Sequence, residues 1–175
     1  MERSSKQAKA AVARHDALVA LLEDFDRRFD QRPLAATILM TDFFMDYLRA
    51  LYQAFDGDIP MALVLGEIGQ ATTRRFTERN RLDSIDIDFA DGGRMAESVR
   101  PCNALSASLA SGVPRETARR KVRELADRGW IMAAEGGWVA TEAAGERFLP
   151  TFNREQARRL LGTAKRLLEV LEDVD

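Results

Sequence analysis

The stretch from Arg100 to Trp138 constrains the fold more than any other part of this chain. It reads RPCNALSASLASGVPRETARRKVRELADRGWIMAAEGGW. A short helical run, 103–111, stops at Gly112, where a tight turn often needs positive φ. Pro114 then opens a longer helix, 114–128, since the N–H it lacks is no loss in a first turn. Ala118, Val122 and Leu125 recur at spacings of four and three, the stripe of a helix packed on one side. That stripe predicts packing against Leu105 and Leu109 of the preceding helix. Two short apolar runs follow, 130–134 and 137–140, around Glu135-Gly136-Gly137, which is a hairpin pattern. In this order the elements spell a winged helix-turn-helix, whose second helix fits the DNA major groove.

The remainder reads as helices around that unit. A chain of 175 residues can bury one good core with long appended helices. Residues 5–30 predict one amphipathic helix, with Ala8, Val12, His15, Val19, Leu22, then Phe25 or Asp26, and Phe29 near heptad spacing. Ala11 and Leu18 widen that stripe. Pro33 marks a break or a new first turn, and 34–55 is again helical. Asp56-Gly57-Asp58 ends it, and Asp58 supplies an N-cap for a third helix, 59–80, with Pro60 just inside. Met61, Val64, Leu65, Ile68 and Phe76 fall on one side of it. Residues 81–97 alternate Ile85, Ile87 and Phe89 with aspartates, a loop with a short strand. A last helix, 153–173, carries Ala157, Leu160, Leu161, Ala164, Leu167, Leu168 and Leu171 at heptad-like spacing.

Charge narrows the partner class. The net charge is −2, so any nucleic-acid contact must come from a local basic patch. Such a patch exists, because 114–128 holds six basic and three acidic residues. Glu116, Arg119, Arg120 and Arg123 lie opposite the apolar stripe, with Arg115 and Thr117 flanking them near the helix N-terminus. Free N–H groups there favour phosphate, and arginine can grip guanine O6 and N7 bidentately.

Pro114-Arg115-Glu116-Thr117-Ala118-Arg119-Arg120, followed by Val122, Leu125 and Gly129-Trp130-Ile131, resembles the recognition helix and strand of Crp-type and related bacterial winged-helix regulators. The resemblance implies base reading by Arg115, Glu116 and Arg120. Thr141-Glu142-Ala143-Ala144-Gly145 looks like the segment that closes the wing in MarR- and PadR-like regulators. The long terminal helices are similar to the layout of MarR-type dimers. The resemblance covers about 98–145. Pro114 departs from it, standing where the Crp-type pattern has a serine cap, and the wing tip is acidic at Glu135 with no Arg or Lys.

Other sites carry less. Asp83, Asp86, Asp88 and Asp91 do not match an EF-hand loop and read as a solvated acidic side. That segment could also hold the arginines when no DNA is bound. His15 is the single histidine and reads as a packing or interface residue. Cys102, the single cysteine, reads as a small buried residue; its being alone excludes an intrachain disulfide and fits a reducing cytoplasm. Gly66 and Gly69 form no phosphate loop, and close helix packing accounts for them better. The aromatic run Phe43, Phe44, Tyr47, Tyr52 and Phe55 reads as helical core or dimer interface, with a pocket for an unknown small-molecule effector as the other reading.

The expected fold is thus mainly α with a small β-hairpin wing: a winged helix-turn-helix flanked by long N- and C-terminal helices. Expected boundaries are 1–57 for a dimerisation and sensing region, 58–148 for DNA binding, and 149–175 for a dimerising C-terminal helix. The expected function is sequence-specific regulation of transcription by a cytoplasmic homodimer on double-stranded DNA. Arg115, Glu116 and Arg120 are expected on bases, and Thr117, Arg119 and Arg123 on phosphates. The alternative is a winged-helix module that docks a protein. No catalytic, cofactor-binding or metal site is expected, and no membrane contact.

Overall fold

A computed structural model describes residues 19–78 and 100–172. They form a mainly helical structure with one two-stranded antiparallel hairpin. The helices are α1 (Phe25–Gln31), α2 (Pro33–Ala54), α3 (Ile59–Glu78), α4 (Ala104–Ser111), α5 (Arg115–Asp127), α6 (Glu142–Phe148) and α7 (Arg154–Glu172). The hairpin strands are β1 (Ile131–Ala134) and β2 (Gly137–Ala140), and a π-helical turn, Leu149–Asn153, links α6 to α7. Two compact units divide the described residues: 19–47 with 156–172, and 48–155 without 79–99. The second runs past the expected 58–148 at both ends.

The helix boundaries follow from local chemistry. Pro33 sits at the first position of α2, and Arg32 before it leaves helical geometry, as a residue preceding proline tends to. At the other end Gly57 N–H donates to Tyr52 O at 2.8 Å and Asp56 N–H to Gln53 O at 3.3 Å. With Asp56 at φ 51° this is a Schellman ending. Asp58 then accepts Met61 N–H at 3.0 Å through Oδ1 and caps α3. The same ending closes α5, where Trp130 N–H donates to Leu125 O at 3.0 Å and Gly129 has φ 71°.

The core of the second unit joins α3, α4, α5 and the hairpin. Met61, Val64, Leu65 and Ile68 of α3 meet Ala107, Val113, Ala118, Val122, Leu125 and Ile131 there. Phe55 and Phe148 stack with ring centroids 5.0 Å apart, and Trp130 sets an edge against both. Ile131 pairs with Ala140 and Ala134 with Gly137, which leaves Glu135-Gly136 as the turn. Cys102 adds a short third rung, exchanging backbone bonds with Trp138 at 2.9 and 3.0 Å. Thr72, buried in α3, accepts Ala140 N–H at 3.1 Å while its hydroxyl donates to Ile68 O at 2.7 Å, so it ties the hairpin to the helix.

Several expectations are corrected. Leu105 and Leu109 do not receive α5; both are exposed, and Ala104 and Ala107 face the core instead. Small side chains let α4 lie close to α3 and α5. The single helix expected over 5–30 is interrupted at Asp24 within its described part, 19–30. Arg27 and Arg28 both fold back onto that carboxylate, and Asp24 leaves helical geometry while Leu21 is buried and Leu22 exposed. A separate helix, α6, follows Thr141, and a π turn containing Pro150 stands between it and α7. Proline lacks the N–H that a regular α-helical turn would use. On α7 the expected stripe is largely exposed at Ala157, Leu160, Leu161 and Ala164, while Gln156, Thr163 and Leu171 are buried. A Cβ at Gly66 or Gly69 would meet nothing within 4 Å, so close packing does not account for them. Residues 1–18, with His15, and 81–97, with the aspartates, lie outside the described residues, as does the Phe76 side chain.

In the first unit, Arg28 donates to Leu171 O at 2.9 Å, which ties α1 to the end of α7. Arg159 of α7 pairs with Asp46 of α2 at 3.1 Å. No described helix is long and apolar enough to cross a membrane.

Candidate nucleic-acid interface

The turn between α4 and α5 is built from polar side chains bonding to backbone. Asn103 caps α4, accepting Ser106 N–H at 2.9 Å. Gly112 takes φ 72° at its end, the conformation expected there. Ser108 Oγ donates to Val113 O at 2.7 Å, and Ser111 Oγ accepts Val113 N–H at 3.2 Å. Pro114 starts α5 with no side-chain cap, so the first amides of α5 have no hydroxyl or carboxylate at the cap position. These bonds fix how α5 leaves α4, and Val113 is buried as a plug beneath the turn.

The two faces of α5 separate cleanly. Ala118, Lys121, Val122 and Leu125 are buried. Arg115, Glu116, Arg119, Arg120 and Arg123 are exposed, and Thr117 is half-buried. All six candidate contact residues therefore share one element, with Thr117 at the edge of the surface. Arg119 meets Glu116 at 3.3 Å and Arg120 meets Glu124 at 3.4 Å. Exposed pairs of this kind contribute about 0.3–0.5 kcal/mol, so a phosphate can displace either carboxylate at little cost.

Lys121 is the residue of α5 that sequence reasoning misplaced. It counts toward the basic excess of 114–128 but turns inward, only 5% exposed. Its ammonium donates to Asp58 Oδ2 at 2.5 Å and to Glu124 Oε2 at 2.6 Å. Burial disfavours the ammonium, but the bonds to Asp58 and Glu124 outweigh that and hold its pKa above the ordinary lysine value. The signal was present: position 121 falls three after Ala118 and four before Leu125, on the apolar side. Glu124 serves both groups, holding Lys121 by one oxygen and Arg120 by the other. Arg128 lies over the Trp130 ring, 5.0 Å from its centroid, at the far end of the helix.

The hairpin brings no cation to this surface. Met132, Ala133 and Glu135 are exposed, and no Arg or Lys occurs between Ile131 and Thr141. Thr141 Oγ1 donates to Gly129 O at 2.6 Å, which pins the second strand to the end of α5.

Cys102 is buried, and burial pushes its thiol above the ordinary value, with Glu67 adding to the shift. That makes it a poor nucleophile. Among the described residues no three His, Cys, Asp or Glu side chains gather where a metal ion could be held. The aromatic run divides: Phe55 is core, Phe43 and Tyr47 are half-buried, and Phe44 and Tyr52 are exposed. A cleft of about 390 Å³ in the first unit is lined by Asp42, Phe43, Asp46, Arg159, Thr163 and Arg166 among others.

No protein-family model matches this chain, and neither curated proteins nor solved structures give a match.

Proposed function

We propose that this chain is a sequence-specific, DNA-binding transcriptional regulator that acts as a homodimer. The observation that carries the proposal is α5, with a buried face of Ala118, Lys121, Val122 and Leu125 and an outward face of Arg115, Arg119, Arg120 and Arg123. The left-handed turn at Gly112 and the hairpin after Gly129 give it the neighbours of a recognition helix in a winged helix-turn-helix. In this reading 58–148 is the DNA-binding region, and the helices on either side serve dimerisation. The protein works in the cytoplasm, where bacterial DNA is found.

Arg115, Glu116 and Arg120 read base edges. Arg119, Arg123 and Thr117 hold phosphates. Glu116 and Glu124 keep Arg119 and Arg120 on the surface until DNA replaces the carboxylates. Without a basic residue on the hairpin, affinity rests on α5 and its symmetry mate in the dimer. No effector is assigned.

A second reading, docking of a protein, is favoured by one observation. Leu105 and Leu109 lie exposed on α4, Leu109 at 77%. Selection from a random duplex library, followed by affinity against salt, separates the two. The regulator reading expects an enriched pseudo-palindrome, with affinity falling at a slope of about −0.9 per phosphate contacted. Absence of enrichment with salt-insensitive, weak binding overturns it in favour of the docking module.

A further inference from the structure

We infer that the outward face of α2 seats a second copy of this chain, with the two α2 helices antiparallel. Leu34, Ile38, Thr41, Met45, Leu48 and Tyr52 recur at alternating spacings of four and three. All six are exposed, and they lie opposite Ala36, Phe43, Tyr47 and Ala54, which are buried or half-buried. At 1.5 Å per residue this seam is about 27 Å long. This alternation of four and three is the a/d spacing that a two-helix coiled pair uses.

Charge identifies the occupant. Only Asp42, Asp46 and Arg49 are charged in the 22 residues of α2. Asp46 is engaged by Arg159. Asp42 and Arg49 both flank the seam on its e side, one heptad apart. In an antiparallel pair, e positions face e positions. Setting Met45 against Leu48 of the second copy brings Asp42 against Arg49 of the second copy, and the two-fold axis repeats the pair. The same register sets Phe44, exposed, against Leu51 of the second copy on the other flank. A parallel pair would place Asp42 against Thr37 and Arg49 against Phe44, with no charge to meet. The helix is therefore complementary to itself in one orientation, which is what a closed isologous interface requires.

This inference specifies the two-fold assembly of the regulator reading but rests on α2 alone, so it is tested without DNA. The experiment is sedimentation equilibrium of the full chain, with circular dichroism as the control for folding. The wild type is expected to be a dimer. Met45→Glu, at an exposed position, is expected to weaken association at least about a hundred-fold. Leu48→Lys gives a second test of the seam should that variant misfold. Asp42→Arg and Arg49→Asp are each expected to weaken association about ten-fold, and the double variant to regain it. Arg49 also interacts within its own protomer, so the double variant is the deciding one. A monomer at all concentrations overturns the inference, and the face is then covered by another segment or another protein. A dimer indifferent to both Met45→Glu and Leu48→Lys, or a double variant that stays dissociated, also overturns it. Binding of a single operator half-site by a monomer would overturn this inference and the homodimer with it, and leave only sequence-specific DNA binding by α5 standing.

Discussion

Asp58 holds two helices with its two oxygens: Oδ1 accepts Met61 N–H at 3.0 Å and caps α3, while Oδ2 accepts the Lys121 ammonium of α5 at 2.5 Å. One carboxylate thus fixes where α3 begins and how α5 is rotated upon it. The rotation matters because it decides which residues of α5 face outward. With Lys121 drawn inward, Arg119, Arg120 and Arg123 are left on the surface.

Removing Asp58 should therefore cost more than a cap. Asp58→Ala loses the cap, worth about 1 kcal/mol, and leaves Lys121 with Glu124 alone. The expected loss of unfolding free energy is about 2–4 kcal/mol. Asp58→Asn keeps an acceptor for Met61 N–H and should lose about half as much. Urea unfolding followed by Trp fluorescence measures both. Equal, small losses below about 0.5 kcal/mol would show that the pair does not hold α5.

The same pair predicts a pH dependence. The folded-state pKa of Lys121 is raised, so the folded protein binds this proton more tightly than the unfolded chain. Its contribution to stability is complete below the ordinary lysine pKa of about 10.4 and is lost as pH rises through the higher folded value. The stability difference between wild type and Lys121→Met should be constant from neutral pH to about 9.5 and shrink above it. A difference that shrinks on the acid side of neutrality, or that never changes, would contradict the assignment.

What the sequence made legible was local. Asp58 as a cap, Gly112 at positive φ, Pro33 at a helix start and the Ala118–Val122–Leu125 stripe each depend on a few neighbouring residues, and each is present. Burial on α4 was not legible, because Leu105 outranks Ala107 in hydrophobicity while close approach of α3 and α5 selects the smaller residue. Lys121 was counted with the surface arginines because its type suggested water; its spacing pointed inward. The π turn and α6 escape a reading of sequence because Gly145 and Pro150 look like loop residues, and each is instead taken up within helical structure, Gly145 in α6 and Pro150 in the π turn. Periodicity puts Glu116, Arg119, Arg120 and Arg123 on one helix face with Arg115 and Thr117 flanking it, and the pairing of Arg119 with Glu116 and of Arg120 with Glu124 follows from spacings of three and four.

Gly112 and Gly137 both have positive φ, but only at Gly137 does a Cβ also lack room. Gly112 has φ 72° with open space where a Cβ would lie, so Gly112→Ala should cost about 1–2 kcal/mol for the left-handed backbone alone. Asparagine tolerates that conformation, so Gly112→Asn should recover much of the loss. At Gly137 a Cβ would lie 2.7 Å from the Cys102 carbonyl carbon and 2.8 Å from its oxygen. Both substitutions there, Gly137→Ala and Gly137→Asn, should cost at least about 1–3 kcal/mol, with no recovery by asparagine. Thermal unfolding of the four variants distinguishes these patterns. Losses at Gly137 no larger than those at Gly112 would mean that the Cys102 rung yields to a side chain.

Arg119 and Arg120 are adjacent on α5, each held by a carboxylate, yet they are assigned different tasks. If Arg120 reads a base, Arg120→Ala should lose about 1–3 kcal/mol on the selected operator and relax preference at one base pair per half-site. If Arg119 holds a phosphate, Arg119→Ala should weaken binding by a similar factor on every sequence and lower the salt slope by about 1 per protomer. Glu124→Gln provides the control, since it loosens Arg120 and takes charge from Lys121 without removing a DNA contact. It should lower stability more than operator affinity. Fluorescence anisotropy on operator and scrambled duplexes, across salt, measures all three. Uniform losses for Arg120→Ala with a reduced salt slope would move that residue to the phosphates. Sequence-dependent losses for Arg119→Ala would move Arg119 to the bases.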